Sequence, residues 1–276
     1  RSTPKPSSAA SDVYKRQSQD DQKSKVDIFS EKGILLLGNG TEPSGIDPHI
    51  VTGVPEHKIL LALLEGLVIF NPSNNGVLPG VASDWSISSD GLIYTFVFNP
   101  EAKWTNGESV KPEHFVYSWK RILSPALGAQ YADMLYVIKN AENFHKGQIE
   151  DFDKVGVSSY ENKLIVTLEN PTPYFLNILT HYSTWPVHPE TVEKYGGMTS
   201  RNNQWTRVEN FIGNGPFKLD SWEINKSLKV SRNELYWGNT SNKINGLEFL
   251  PIDNEITQDR LFRSGGTVSY THLTLP

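Results

Sequence analysis

Ile212 to Ile252 reads IGNGPFKLDSWEINKSLKVSRNELYWGNTSNKINGLEFLPI, and this stretch decides the fold. A Gly-Asn-Gly-Pro turn leads into an alternating run and then a polar break. A second alternating run ends in an Asn-Glu-Leu-Tyr-Trp-Gly turn at Asn233 to Gly238, and a third strand follows. Alternating runs bounded by Gly, Asn and Pro predict strands of a sheet with one buried face.

Working outward, Gly33 to Asn39 is a short apolar strand, followed by the turn-rich Gly40 to His49. Lys58 to Phe70 starts as a buried helix and passes through Glu65-Gly66 into a strand. Val77 to Trp85 reads as turn-like, and Leu92 to Phe98 alternates as a strand. Lys103 to Glu108 carries an Asn-Gly turn. Lys111 to Ile122 is predicted helical, with Val110, Phe115, Trp119 and Ile122 on one face and Pro112 near its first turn. Tyr131 to Phe144 reads as a second helix, Lys163 to Leu168 as a strand, and Pro173 to Leu179 and Pro189 to Tyr195 as helix openings. There are no internal repeats. The expectation is a mixed α/β protein with α+β packing.

The bulk properties exclude several function classes. A length of 276 residues allows one large or two ordinary domains. Net charge is −5 with both signs interspersed, which gives no footprint for nucleic acid or an anionic membrane. With no cysteine, disulfides, thiolate chemistry and Cys-ligated zinc are excluded. No apolar run approaches the ~20 residues that span a membrane. Catalytic signatures such as GxSxG, a Walker loop or HExxH do not occur. The seven histidines are scattered, none paired at i, i+4, so no metal site and no cofactor are expected. No apolar setting that would raise a carboxylate pKa is visible. Gly213-Asn-Gly215 is too short for a phosphate loop, and Asn214 reads as a turn residue.

Several pieces recur in an order that resembles one family. Glu65-Gly66-Leu67, Pro79 to Trp85, Asp90 to Phe96, Ala102 to Gly107, Val116 to Trp119, the Gly213-Asn-Gly-Pro-Phe217 segment and Asn233 to Gly238 follow one another over Ile34 to Gly265. This series resembles the bacterial extracellular solute-binding proteins of family 5, the peptide receptors of ABC importers. His49, Thr52 to Glu56 and Ser124 to Leu135 look most like the oligopeptide receptors. The resemblance implies a periplasmic-binding-protein-like two-lobe fold, type II, class C with an extra subdomain, of which about the N-terminal half is present. Residues 34–64 and 187–266 would form the first lobe and 65–186 the inserted subdomain, with the second lobe missing.

The same resemblance implies a non-enzymatic, exported, monomeric receptor with a peptide ligand and an ABC permease as partners. It would sit in the periplasm or on the outer face of the cell membrane, touching the membrane only through a lost lipid anchor. Thr52-Gly53-Val54 matches the family segment whose backbone pairs with the peptide, and Gly53 would allow close approach. On its residues alone the segment is an ordinary Gly-Val-Pro turn. Tyr131 matches a tyrosine lining the family's cleft and reads equally as a half-buried core residue. His181 lies near the lobe junction, where a structural role outweighs ligand contact. Groups that grip peptide termini lie on the missing lobe. The same fold carrying dipeptides, a nickel complex or an oligosaccharide, or serving signalling or adhesion, remains open.

The ends read differently. Asp12 to Gln17 and Val268 to His272 can be encoded by inverted copies of one DNA element, similar to the mosaic end of a sequencing adapter. Residues 1–17 and 267–276 are therefore expected to be non-native tails. Residues 18–33 are expected to be a tether, on the polar Ser18 to Lys25.

Overall fold

The computed structural model describes residues 23–239 and 243–269. The expected N-terminal tail, residues 1–17, lies outside the described residues.

The opening motif forms three strands: β8 (Phe217–Glu223), β9 (Ser227–Arg232) and β10 (Gly246–Pro251). They pair antiparallel in sequence order, and β10 then pairs in parallel with β1 (Ile34–Gly40), giving the order β1-β10-β9-β8. A parallel pair cannot be closed by a tight turn and needs a crossover. Here the crossover is everything between Gly40 and Gly246, and it contains a second sheet.

That sheet has the order β4-β5-β7-β6, all antiparallel, from β4 (Ala82–Ile87), β5 (Ile93–Phe98), β6 (Val157–Tyr160) and β7 (Lys163–Thr167). Along β5, Tyr94, Phe96 and Phe98 point inward while Ile93, Thr95 and Val97 face out, the period-two pattern of a sheet with one wet face. A hairpin of β2 (Val68–Asn71) and β3 (Gly76–Pro79) stands apart from both sheets.

Of the helices, α2 spans Val54–Leu63 and α3 spans Pro112–Leu123. The α3 start is set by Pro112 and by His114, whose Nδ1 accepts the Lys111 N–H at 3.1 Å. Its Phe115, Trp119 and Ile122 stripe is fully buried and shares one core with the β5 aromatics. None of the helices among the described residues is long and apolar enough to cross a membrane.

Three expectations differ. Val77 to Trp85 is not a turn but most of β3 and β4, because Pro79-Gly80 only bends the chain between two strands. Tyr131 to Phe144 is not one helix. A 3-10 turn (Ala132–Leu135) and α4 (Ala141–His145) are separated where Ile138 bridges to Leu168 and Asn140 takes a left-handed conformation. Tertiary pairing overrides the helical periodicity there. The tether is partly helical: α1 (Lys25–Ser30) is started by a Ser24–Asp27 capping box, and Val26 N–H donates to Gly265 O at 2.9 Å. Thr267 to Ser269 lie along the edge of β1, with Val268 N–H on Leu36 O and Gly38 N–H on Ser269 O. Such pairing uses only the backbone and is indifferent to side-chain identity.

Three distant segments meet in a buried cluster. Arg121 of α3 donates to Asp47 Oδ1 at 2.8 Å and Oδ2 at 2.6 Å, to His49 Nδ1 at 2.8 Å and to the Met198 carbonyl at 2.9 Å. Its guanidinium lies over Trp205. Burial would raise the Asp47 carboxyl, yet Arg121 holds it below the ordinary carboxylate range. Removing one partner leaves an uncompensated buried charge. Asp47→Ala is expected to cost about 3–5 kcal/mol in urea unfolding, and a loss under about 1 kcal/mol would contradict this assignment.

Candidate functional site

The first turn of α2 sets the geometry of the site. Gly53 is its N-cap, in an extended conformation, and Val54 and Pro55 open the helix. Thr52, exposed, and Gly53, half-buried, therefore form an extended entry, whereas Val54 is already helical, so the segment matched to the peptide-pairing backbone is extended only through Gly53. Val54 is 63% exposed, unusual for a valine. An added Cβ at Gly53 would lie 2.0 Å from Glu56 Oε2, so any side chain there must displace the Glu56 carboxylate. Glu56, buried, also accepts from the Ser44 N–H and hydroxyl, which ties the entry to the preceding loop.

Tyr131 and His181 are brought to the same place. Tyr131 donates to the Thr52 carbonyl at 3.2 Å, and its ring meets His181 edge-on with centroids 5.0 Å apart. Tyr182, which sequence reasoning missed, is buried and donates to the Val51 carbonyl at 3.1 Å. His57, also missed, packs against Tyr182 at 5.3 Å and His181 at 6.1 Å. All five sequence-predicted residues thus share one surface. His181 Nδ1 accepts the Ser183 N–H, so its neutral ring carries the proton on Nε2.

A cavity of about 510 Å³ opens beside this surface, with His57 and Thr180 on its wall. Leu61, Leu64, Ile69 and Phe70 make it largely apolar, and Glu65, Trp185 and Tyr236 bring polar groups. Glu65 is 3% exposed and accepts from the Tyr236 hydroxyl and, at 2.8 Å, from Trp237 Nε1. Burial raises its carboxyl to about 7, against the lowering effect of those two hydrogen bonds. An apolar setting for a carboxylate, unseen in the sequence, is therefore present. Asn214 is not merely a turn residue either: its side chain accepts from Glu65 N–H at 3.0 Å and donates to Glu65 O at 2.9 Å. Gly213 and Gly215 let the Gly-Asn-Gly-Pro segment lie on the Leu63 backbone, where added Cβ atoms would come within 2.2 and 2.6 Å. The visible signal was Glu65-Gly66 preceding a strand; its link to Asn214 and Tyr236 spans a long sequence separation that no local pattern reveals.

Elsewhere, His188 Nε2 lies 2.8 Å from Glu108 Oε2 and 3.6 Å from Glu190 Oε2, a grouping that sequence spacing did not suggest. Its Nδ1 accepts the Thr191 N–H, so the neutral ring donates from Nε2 to Glu108 and caps the helix α6 (Pro189–Lys194).

The same acceptor pattern recurs at His49, His114 and His181. Burial, mainly, holds each at about 4, below the ordinary 6.5. A depressed histidine is protonated first in the unfolded chain, so its stabilising contribution is lost as pH falls from 6.5 through 4. Glu65, raised to about 7 from 4.5, acts oppositely, favouring the fold as pH falls through the same window. Three groups outweigh one. The urea midpoint should be lower at pH 4.5 than at pH 7, and an unchanged or higher midpoint would contradict these assignments.

Residues 76–275 match the family model described as bacterial extracellular solute-binding proteins, family 5 Middle. The chain is 36% identical over 240 residues to the periplasmic oligopeptide-binding protein OppA of Haemophilus influenzae, covering 86% of this chain and 43% of that protein. The crystal structure of H. influenzae OppA in complex with RPPGFSPFR superposes with a TM-score of 0.79 at 34% identity, covering 85% of this chain and 45% of that one. An oligopeptide ABC transporter substrate-binding domain from Bacillus anthracis gives a TM-score of 0.79 at 30% identity, with 85% and 44% covered. The chain thus spans less than half the length of the relatives it matches. Its mixed α/β architecture, its ordered motifs and these matches place the chain in the family 5 bacterial extracellular solute-binding proteins.

Proposed function

We propose that this chain is the peptide-gripping part of the substrate-binding component of an oligopeptide ABC importer. It works outside the cytoplasm, in the periplasm or on the outer face of the cell membrane, and passes peptide to a permease without catalysing a reaction. The receptor acts as a monomer, held at the membrane by a lipid anchor or free in the periplasm. Residues 34–64 and 187–266 act as one lobe carrying the 65–186 subdomain.

The observation that carries this reading is the extended entry to α2. The N–H groups of Thr52 and Gly53 make no hydrogen bond to another described residue, while the Thr52 carbonyl is taken by Tyr131. Exposed, extended backbone with open donors is what strand addition requires, and it reads a peptide without reading its side chains. Tyr131 and His181 wall one side, and the cavity next to them has room for a peptide side chain. On the cavity wall Glu65 is the one carboxylate among the described residues, which supports binding rather than paired-carboxylate hydrolysis.

The test is mass spectrometry of what co-purifies with the receptor that carries this chain. Peptides of mixed sequence and similar length are expected; a metal complex or a sugar in their place would overturn the reading. Gly53→Val should lower peptide affinity at least roughly tenfold, since its side chain would meet Glu56 and block backbone approach. Unchanged affinity would remove the entry from the site.

A further inference from the structure

The cavity beside the α2 entry has a buried carboxylate on its wall with no cation against it among the described residues. The Trp185 ring also lines the cavity, while its buried indole Nε1 lies beside Gly66 and has no hydrogen-bond partner among the described residues. Glu65 is the cavity's carboxylate. Its oxygens are held by two neutral donors, the Tyr236 hydroxyl and the Trp237 indole, and it makes no ion pair among the described residues. The buried Asp47 carboxylate, by contrast, has Arg121 against it. A carboxylate buried without a cation is the less favourable arrangement of the two.

We propose that this cavity is a side-chain pocket for a lysine of the bound peptide, with Glu65 as the group that selects it. The inference rests on the peptide-receptor reading and names the residue class that the site favours. An apolar stem fits the Leu61, Leu64, Ile69 and Phe70 walls. The ammonium has three donors to place. Glu65 accepts one, and the Tyr236 and Thr180 hydroxyl oxygens keep free lone pairs, since each donates its own proton elsewhere. The Tyr236 and Trp185 rings add aromatic surface for a cation. An acidic side chain would bring a second carboxylate against Glu65 and is rejected; norleucine, with the same stem and no amine, enters without ion pairing.

Binding of the ammonium favours ionised Glu65, so lysine entry releases a proton from the carboxyl fraction still protonated near neutral pH. The other titratable groups on the cavity wall are His57 of α2 and Tyr236 of the segment after β9; burial holds His57 below its ordinary value and Tyr236 above its own. No charged residue of β2 or of the hairpin turn lines the cavity among the described residues.

The experiment follows the indole N–H resonances of this chain by NMR while N-acetyl-lysine methylamide or N-acetyl-norleucine methylamide is added. At pH 8 the lysine probe should shift the Trp185 signal and bind at least roughly tenfold tighter than norleucine. The ratio should fall toward one at pH 6 and in Glu65→Gln, which keeps a hydrogen-bond acceptor; near-ultraviolet circular dichroism of that variant checks its fold. Equal affinities at pH 8, no shift of Trp185, or a ratio unchanged in Glu65→Gln would each overturn the proposal. Peptides that co-purify with the receptor without lysine preference would sink the pocket and leave the receptor. Lysine-probe binding at Trp185 with no peptide ever recovered would do the reverse.

Discussion

The buried Arg121 guanidinium is the interaction on which the rest of the structure depends. Four hydrogen bonds from it reach Asp47, His49 and the Met198 carbonyl, so one side chain of α3 fixes the loop before α2 and the segment after α6. Planar, fork-like donation suits arginine and no other residue. The loop it holds runs directly into Thr52 and Gly53. His49, pinned by Arg121 on Nδ1, donates from Nε2 to the Trp185 carbonyl at 3.0 Å and so ties the same cluster to the cavity wall. A chain entry that must stay extended and exposed is thereby supported from beneath by a rigid polar lock.

A second constraint acts on the other side of α2. The Gly-Asn-Gly-Pro segment sits on the helix C-terminus, and Asn214 clamps both backbone groups of Glu65. Tyr236 and Trp237, at the end of the motif that begins the β8–β10 sheet, close over the Glu65 carboxyl. One motif therefore builds the first sheet and also shapes the cavity, which explains why it carries so much of the sequence signal. The price of that arrangement is a buried carboxyl held near neutrality rather than ionised.

Much of this was legible beforehand for a physical reason. The three strands of Phe217 to Pro251 and the α3 stripe of Phe115, Trp119 and Ile122 are local patterns whose period matches their structure. Val77 to Trp85 and Tyr131 to Phe144 were misread because their conformation is decided by partners far along the chain, the second sheet and the Ile138–Leu168 bridge. Within the site, Thr52, Gly53, Val54, Tyr131 and His181 were singled out by resemblance and do lie together. His57, Glu65, Trp185 and Tyr236 were passed over as a group, because burial and hydrogen bonding across more than a hundred residues leave no spacing to read.

The central claim is that the extended entry to α2 pairs with peptide backbone. Amide hydrogen exchange at Thr52 and Gly53 tests it most directly, in the receptor with and without a bound peptide. Both amides should exchange freely in the empty protein and become protected when peptide binds, by about tenfold or more if they donate to it. Exchange at both that stays unchanged while peptide is demonstrably bound would contradict the account.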